Sequence, residues 1–527
     1  MAIVSNITNQ GTLDAGPTDS SSSGTLDLGK DLGTGSMTDT GAIGIYGGSD
    51  LAISGNYTVT GGGTLYFKGA GAEITSDGTA PATFTNESTI EVGYSGQIGD
   101  EGIKAANDLT FDNTGTVVAS GSGVTLTLNT GAKTIDDGGG TLEAQSGATL
   151  AIDSNADTGE ASSGSPPGGT IEAGSGGTVI LSAKVADGIS GPSVPGQVVI
   201  DGGIFEMLAG SSVSVPIEFT GGGTLELFSI TSAVNVTGSD GTVDLTSSKI
   251  SLSGGAETIV FKGGSGNVAD LSDTAGSPDT VTGSNGAINL TTANISLSGS
   301  NDAISAGSGD TISLTSGTGD RFTGAGFTVD ATKKTGLTVG GDGLTGTTDT
   351  VSGSSLSVAL ETSSHMTLNG SKDTVTIAAS ANFTVAGSNE AIAATTGDGI
   401  TVNSGTGDTI TGSDFTVHAK TAAFKIVGTA DVVYAGLNDT LTDGGTSTVF
   451  KIKGNVGAIS IAGFGADPTG VIDLLGGDGG YKTASAAFAA LTGDGSGGSL
   501  LSLGADGSID LHGAAPSALH KTNFKIG

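Results

Sequence analysis

A five-residue phrase returns through the first half of the chain at a nearly even step, and nothing else in the sequence limits the fold as strongly. The phrase is Gly or Ser, then Thr, an apolar residue, a variable one and a second apolar one. It reads GTLYF at 63–67, STIEV at 88–92, GTVVA at 115–119, GTLEA at 140–144 and GTIEA at 169–173. Its threonines are Thr64, Thr89, Thr116, Thr141 and Thr170, giving steps of 25, 27, 25 and 29. Alternation inside each phrase is that of a strand with one face inward and one outward. One such coil cannot close a core by itself; stacked coils can, by burying the inward residues and pairing the backbone between neighbours. The spacing predicts an all-β fold, an elongated parallel β-helix or β-solenoid of stacked coils of ~25 residues, with a small C-terminal α+β segment. Tandem β-sandwiches are the competing reading, but their cores are rich in aromatics. Here aromatics are 4% of the chain and Trp is absent.

Longer repeats follow. Residues 236–259, VTGSDGTVDLTSSKISLSGGAETI, lie over 281–304, VTGSNGAINLTTANISLSGSNDAI, at an offset of 45. A looser copy runs from 351 to 375, and ISLSGSNDAI at 295–304 returns as FTVAGSNEAI at 383–392, an offset of 88. The 45-residue unit reads as about two coils. Its copies agree best in strands and Gly turns and least in charge: Asp240 becomes Asn285, Asp244 becomes Asn289 and Glu257 becomes Asp302. In this half the turn phrase changes to Gly, a small residue, any residue and an acid, followed by an apolar-rich pair, as in GSNDAI at 299–304, GSKDTV at 370–375 and GTGDTI at 405–410. The acids in this setting are Asp302, Asp310, Asp320, Asp349, Asp373, Glu390, Asp398, Asp408, Asp431 and Asp439. Steps of 8 and 10 join Asp302, Asp310 and Asp320, and the same steps join Glu390, Asp398 and Asp408.

Four segments result: opening strands or a cap at 1–60, Gly-Thr coils at 61–230, a solenoid with Asp-bearing turns at 231–445, and a C-terminal region at 446–527. A Ser-rich loop at 19–24 and an excursion at 159–168, carrying Pro166 and Pro167, interrupt the rhythm. The C-terminal region holds one Ala-rich helix signal at 483–491 and two strands around Ala505, Asp506 and Gly507 that read as a hairpin.

Charge narrows the partners. The net charge is −35, from 53 acids and 18 bases among 527 residues. Nucleic acid and anionic membrane surfaces need a basic patch, so neither is expected. The acidity suits solubility, and equally a set of Ca²⁺ sites. There are 96 glycines and no cysteine, which removes disulfides and thiolate metal sites. No apolar run is long enough for a membrane span, and the first residues carry no Sec-type signal, so an exported chain would need its signal elsewhere.

Chemistry is sparsely provided for. Arg321 is the single arginine, and His365, His418, His512 and His520 occur in no metalloprotease spacing. Asp136 and Asp137 are adjacent and on a strand would point to opposite faces. With no Trp platform and no nucleophile motif, no enzyme is expected.

The Asp-bearing turns resemble the nonapeptides of RTX proteins, whose Ca²⁺-binding turns read GGXGXDXUX with U apolar. Gly307, Gly309, Asp310 and Ile312, and Gly405, Gly407, Asp408 and Ile410, come near that pattern. The double glycine and the strict tandem spacing are missing. The resemblance implies Ca²⁺ as ligand, with the ten acids named above as metal residues. The C-terminal region, 446–527, is similar to that of RTX-like proteins from α-proteobacteria, on Gly463–Phe464, Val471–Leu474, Leu511–Gly513, Leu519 and Phe524–Ile526. That likeness implies an uncleaved signal for a type I secretion machinery. The GTLEA phrases are similar to those of filamentous-haemagglutinin and autotransporter-passenger β-helices.

Together these readings lead to an expected secreted, extracellular or cell-surface, non-catalytic structural protein: an adhesin, biofilm matrix or fibre component. Cell-surface polysaccharide or other copies of itself are the expected partners. A self-assembling surface-layer protein and a polysaccharide-active β-helix enzyme are the alternatives.

Overall fold

The structure is a computed structural model. It describes residues 2–3, 7–17, 23–30, 33–99, 108–159, 168–188, 194–255, 257–263, 266–272, 278–291, 293–307, 309–316, 318–324, 327–331, 336–339, 349–360, 365–378 and 381–527. Most of the Ser-rich loop and the Pro166–Pro167 excursion lie outside the described residues. The chain divides into two compact units, Met1–Gly283 and Ser284–Gly527.

In the first unit the threonine phrase is a physical column. Thr64 pairs with Thr89, Thr89 with Thr116, Thr116 with Thr141 and Thr141 with Thr170, all in parallel register. Beside them an inward column runs Leu65, Ile90, Val117, Leu142, Ile171, Val198, Ile217 and Val236, each in register with the next. None of these is more than 2% exposed. A second face supplies Leu128, Ile152, Leu181, Met207 and Leu227, again one per coil. Each such side chain contributes about 1.5–3 kcal/mol by leaving water. The steps between the threonines are therefore true coil lengths, and the parallel solenoid stands. The early phrases GTLDAG and GTLDLG are also coil strands: Thr12–Ala15 pairs with Ala42–Ile45, and Thr25–Leu28 with Asp50–Ile53.

Coils of this length have three faces. The third is built from Ile7–Asn9, Thr34–Asp39, the opening halves of Asn56–Phe67 and Ala82–Val92, then Leu109–Asn113, Ile135–Asp136, Ala156–Asp157, Lys184–Ala186 and Ser212–Val213, stacked in that order. After Ser212–Val213 the third face ends, and the coil shortens. The step between register partners is 27 from Ile171 to Val198, 19 from Val198 to Ile217 and 16 from Val236 to Leu252. The longer coil thus holds for the Gly-Thr stretch and gives way to a two-faced coil beyond it. The 45-residue repeat consequently corresponds to about two and a half coils rather than two.

The second unit has two faces throughout. One stacks Asn294–Ser298, Thr311–Ser316, Thr328–Ala331, Asp349–Ser354, His365–Ser371 and Asn382–Ala386. The other includes Ala287–Leu290, Ala303–Ala306 and Thr318–Gly324, and later Ser357–Leu360, Thr374–Ile377 and Ala391–Ala393. On the first face the register partners Asn294, Thr311 and Thr328 step by 17, as do Thr350, Thr367 and Thr384. The 88-residue offset therefore spans about five coils and returns to the same face. Ile295 and Phe383, matched by that offset, are both buried on it.

The C-terminal end follows the sequence reading. Ser499–Ser502 and Gly507–Leu511 form an antiparallel hairpin around Ala505–Asp506, and the second strand lies parallel on Gly457–Ala462. The helix α1 (Ala484–Ala489) is capped by Thr483, whose hydroxyl accepts from the Ala486 N–H at 3.1 Å. Its Phe488 rests 6.3 Å from Phe524, in the strand Phe524–Ile526 that pairs with Val471–Leu474. Among the described residues no helix is long and apolar enough to cross a membrane.

Candidate functional site

The ten acids singled out by the turn phrase share one setting. All are buried, none more than 5% exposed. Most precede the first residue of a strand and share the inward parity of the apolar residue two places on: Asp310 and Ile312 are buried, while Thr311 between them is exposed. The residue before most of these acids supplies a tight turn in the left-handed region. Asn301, Lys372, Asn389, Ala430 and Asn438 have φ between 59° and 65°, and glycine fills the place before Asp310, Asp320, Asp398 and Asp408. The turn folds the chain sharply at the corner of the coil and swings the carboxyl inward.

There the carboxylates meet the backbone of the preceding coil. Gly286, Ala293, Asp302, Leu356 and Asp373 donate their N–H to Asp302, Asp310, Asp320, Asp373 and Glu390, at 2.7 to 3.0 Å. Ala381, Glu390, Phe415 and Ala422 donate to Asp398, Asp408, Asp431 and Asp439, at 2.9 to 3.4 Å. The ladder between strands lapses at a corner, and the acid replaces the missing acceptor.

The second oxygen has one of two fates. In Asp310, Asp398 and Asp439 it accepts a backbone N–H three residues back, from Gly307, Thr395 and Gly436. In Asp302, Asp320, Asp373, Glu390, Asp408 and Asp431 it is buried with no hydrogen-bond partner among the described residues. At several corners it packs against the Cα of the phrase's leading glycine. A Cβ on Gly370 would sit 2.5 Å from Asp373 Oδ2, and one on Gly387 2.5 Å from Glu390 Oε1. The carbonyls of the preceding coil come closer still, Gly353 O at 1.9 Å and Gly370 O at 2.1 Å, and both contacts leave room only for glycine.

The two corners differ. On one, acids follow one another: Asp302 then Asp320, and Asp373, Glu390 then Asp408 in three successive coils. On the other they alternate with apolar residues, as Ala381, Asp398, Phe415 and Asp431. Burial raises the carboxyls of Asp320, Asp373, Asp408 and Asp439 above the ordinary range. Glu390 is pushed up to about 7, by burial first and then by the carboxylates of Asp373 and Asp408, against the Asp373 N–H that favours its charge. Burial likewise lifts Asp302 and Asp431 to about 6.

These residues do not fit Ca²⁺. An ion of that kind takes six to eight oxygens in an open cage. At nine of these corners one carboxylate oxygen is held by a backbone N–H, and in Asp310, Asp398 and Asp439 the other is held by a second one. Among the described residues, one group brings three metal-ligating atoms within 4.8 Å of one another: Asp494, Asp510 and His512, beside the C-terminal hairpin. Its imidazole suits a transition ion better than calcium. Asp494 is lowered to about 2, chiefly by the Ser496 hydroxyl and N–H.

Related polar corners escaped the sequence reading. In the first unit Asn86 donates to Asn113 at 2.8 Å, and Asn113 donates to Asp137 at 2.7 Å, one residue per coil. Asp137 is fully buried and Asp136 exposed, as adjacent strand residues must be. Glu257, matched to Asp302 by the 45-residue repeat, is fully buried with neither oxygen hydrogen-bonded; burial and the neighbouring Asp279 raise it to about 8. The spacing from Asn86 to Asn113 to Asp137, one coil at each step, was the available signal.

No family model, no curated protein and no solved structure matches the chain.

Proposed function

We propose that the chain is a structural surface protein, exported by a type I system, whose work is to hold stacked coils in a fixed order and display their outer faces. It is an adhesin, matrix or fibre component, and it performs no catalysis. The observation that carries this reading is the use of its acids. The residue type that most often does chemistry is here committed, corner after corner, to backbone N–H groups. What faces outward on the strands is led by Thr, in columns fixed by register, with acids such as Glu143 and Glu172, and Glu206 and Glu226, stacked among them. The export half of the reading is supported by the C-terminal sequence likeness around Gly463–Phe464 and Leu511–Gly513. Calcium has no part in it.

Deletion of residues 446–527, with cell and medium fractions compared, tests the proposal. The shortened chain is expected to stay in the cell. Its appearance in the medium would overturn the export route. Catalytic turnover of a polysaccharide by the full chain would overturn the structural role.

A further inference from the structure

One outer face of the second unit carries a stack of rings. His418 pairs in register with Tyr434, and Tyr434 with Lys451, in three successive coils. The imidazole lies parallel to the phenol ring, centroids 4.5 Å and planes 8° apart. Lys451 fixes the phenol from beyond: its Nζ donates to the Tyr434 hydroxyl at 3.1 Å and stands 4.9 Å from the ring centroid. A lone surface histidine rotates freely; this one is held against a ring that is itself tethered. Its other face turns toward the coil of Thr401, its partner in register on that side.

Beside the stack the face is notched. Asn382, Gly399 and Thr416 are in register along one column, and the Asn382 side chain leans over the glycine, its Oδ1 2.7 Å from where a Cβ would sit. The notch has a volume of about 260 Å³ and is lined by Asn382, Thr384, Gly399, Thr401, Thr416 and His418. Sites for drug-sized ligands run to ~300–1,000 Å³, so this one takes a single small ring. Its rim is neutral. Thr384, Thr401 and Thr416 are half-buried on this same outer face. Asp398, beneath them, has both oxygens occupied by the Ala381 and Thr395 N–H groups. A fixed ring beside a row of threonine hydroxyls matches a ligand with a C–H face and a hydroxylated edge.

We propose that this notch binds one neutral hexopyranose unit of a glycan, stacked at His418 and hydrogen-bonded by the three threonines. Naming a surface glycan as its source rests on the surface-protein reading; the notch itself does not.

Saturation-transfer NMR on the full chain tests it, with the methyl glycosides of glucose, galactose, mannose and N-acetylglucosamine as probes. At least one is expected to receive saturation. His418→Ala, which removes one ring contact, and Gly399→Val, whose side chain would push Asn382 into the notch, are each expected to weaken that binding about three- to tenfold. Thr374→Val, on the other face, leaves it unchanged, and unchanged circular dichroism shows that each variant folds. No transfer to any of the four probes, or equal transfer with and without the two substitutions, would overturn the site. Sugar binding without export would remove the surface reading and keep the notch; export without sugar binding would do the reverse.

Discussion

The backbone N–H of Asp302 donates to Oδ1 of Asp320 at 3.0 Å, so that each acid caps the coil before it and is capped by the coil after. The bond makes two demands on residue 320, and they can be separated. It must supply an acceptor, which asparagine also does. It need not carry a charge.

Asp320→Ala leaves the Asp302 N–H buried without a partner and is expected to cost about 1–3 kcal/mol in denaturant titration. Asp320→Asn keeps the acceptor and is expected to fall within about 1 kcal/mol of the parent at pH 7. Equal losses in the two variants would mean that the charge itself holds the corner.

Stability is expected to fall as pH rises. The folded state raises the affinity of these acids for protons, so it binds more of them than the unfolded chain does. The resulting stability is complete below the unfolded pKa values near 4. It is lost through the window that ends at about 6 for Asp302 and Asp431, about 7 for Glu390 and about 8 for Glu257. The groups facing Glu390 along its corner are the carboxylates of Asp373 and Asp408. Thermal melts are therefore expected to give a higher Tm at pH 5 than at pH 8. Glu390→Gln is expected to shrink that difference by about 1–3 kcal/mol. A Tm that rises with pH would reject the account.

Chelation is expected to change little. With the corner oxygens held by N–H groups or packed against backbone, EGTA is expected to leave the circular dichroism and the Tm unaltered. A loss of strand signal on chelation would return calcium to the structure.

Coils are expected to be removable whole. Residues 374–390 make one coil, and their deletion joins Asp373 to Ala391, which stands in register over Thr374. That variant is expected to keep its strand content. Deleting 374–382 removes half a coil, sends the next strand to the wrong face and is expected to disrupt the coils on both sides. Circular dichroism and limited proteolysis distinguish them.

Much of this was legible in the chain. Thr64 to Thr170 could be read as a column because an outward threonine beside an inward apolar residue must recur once per coil. The steps of 8 and 10 between Asp302, Asp310 and Asp320 were also visible, and they are half-coils. What the letters leave open is the direction of the carboxyl. A Gly-x-x-Asp turn has the same letters whether its oxygens face an ion or a backbone N–H. The parity of Asp310 with Ile312 was the clue that it turns inward. The swaps in charge between repeats are open in the same way. Asp240 and Asn285 both have φ of 63°, a turn that either residue adopts, whereas Glu257 and Asp302 are both buried acids, of which Asp302 accepts the Gly286 N–H.

The loss of the third face after Ser212–Val213 gives the first unit a direction. Coils with three faces bury more core for each closure of the chain than the two-faced coils that follow. In a stack where each coil touches only its neighbours, order spreads outward from whichever coil holds best. Leu109–Ala186 is then the natural nucleus, and the narrower coils up to Gly283 assemble on it as on a template. Amide hydrogen exchange would record that history as a gradient, slowest in the three-sided coils and faster with each coil beyond Ser212.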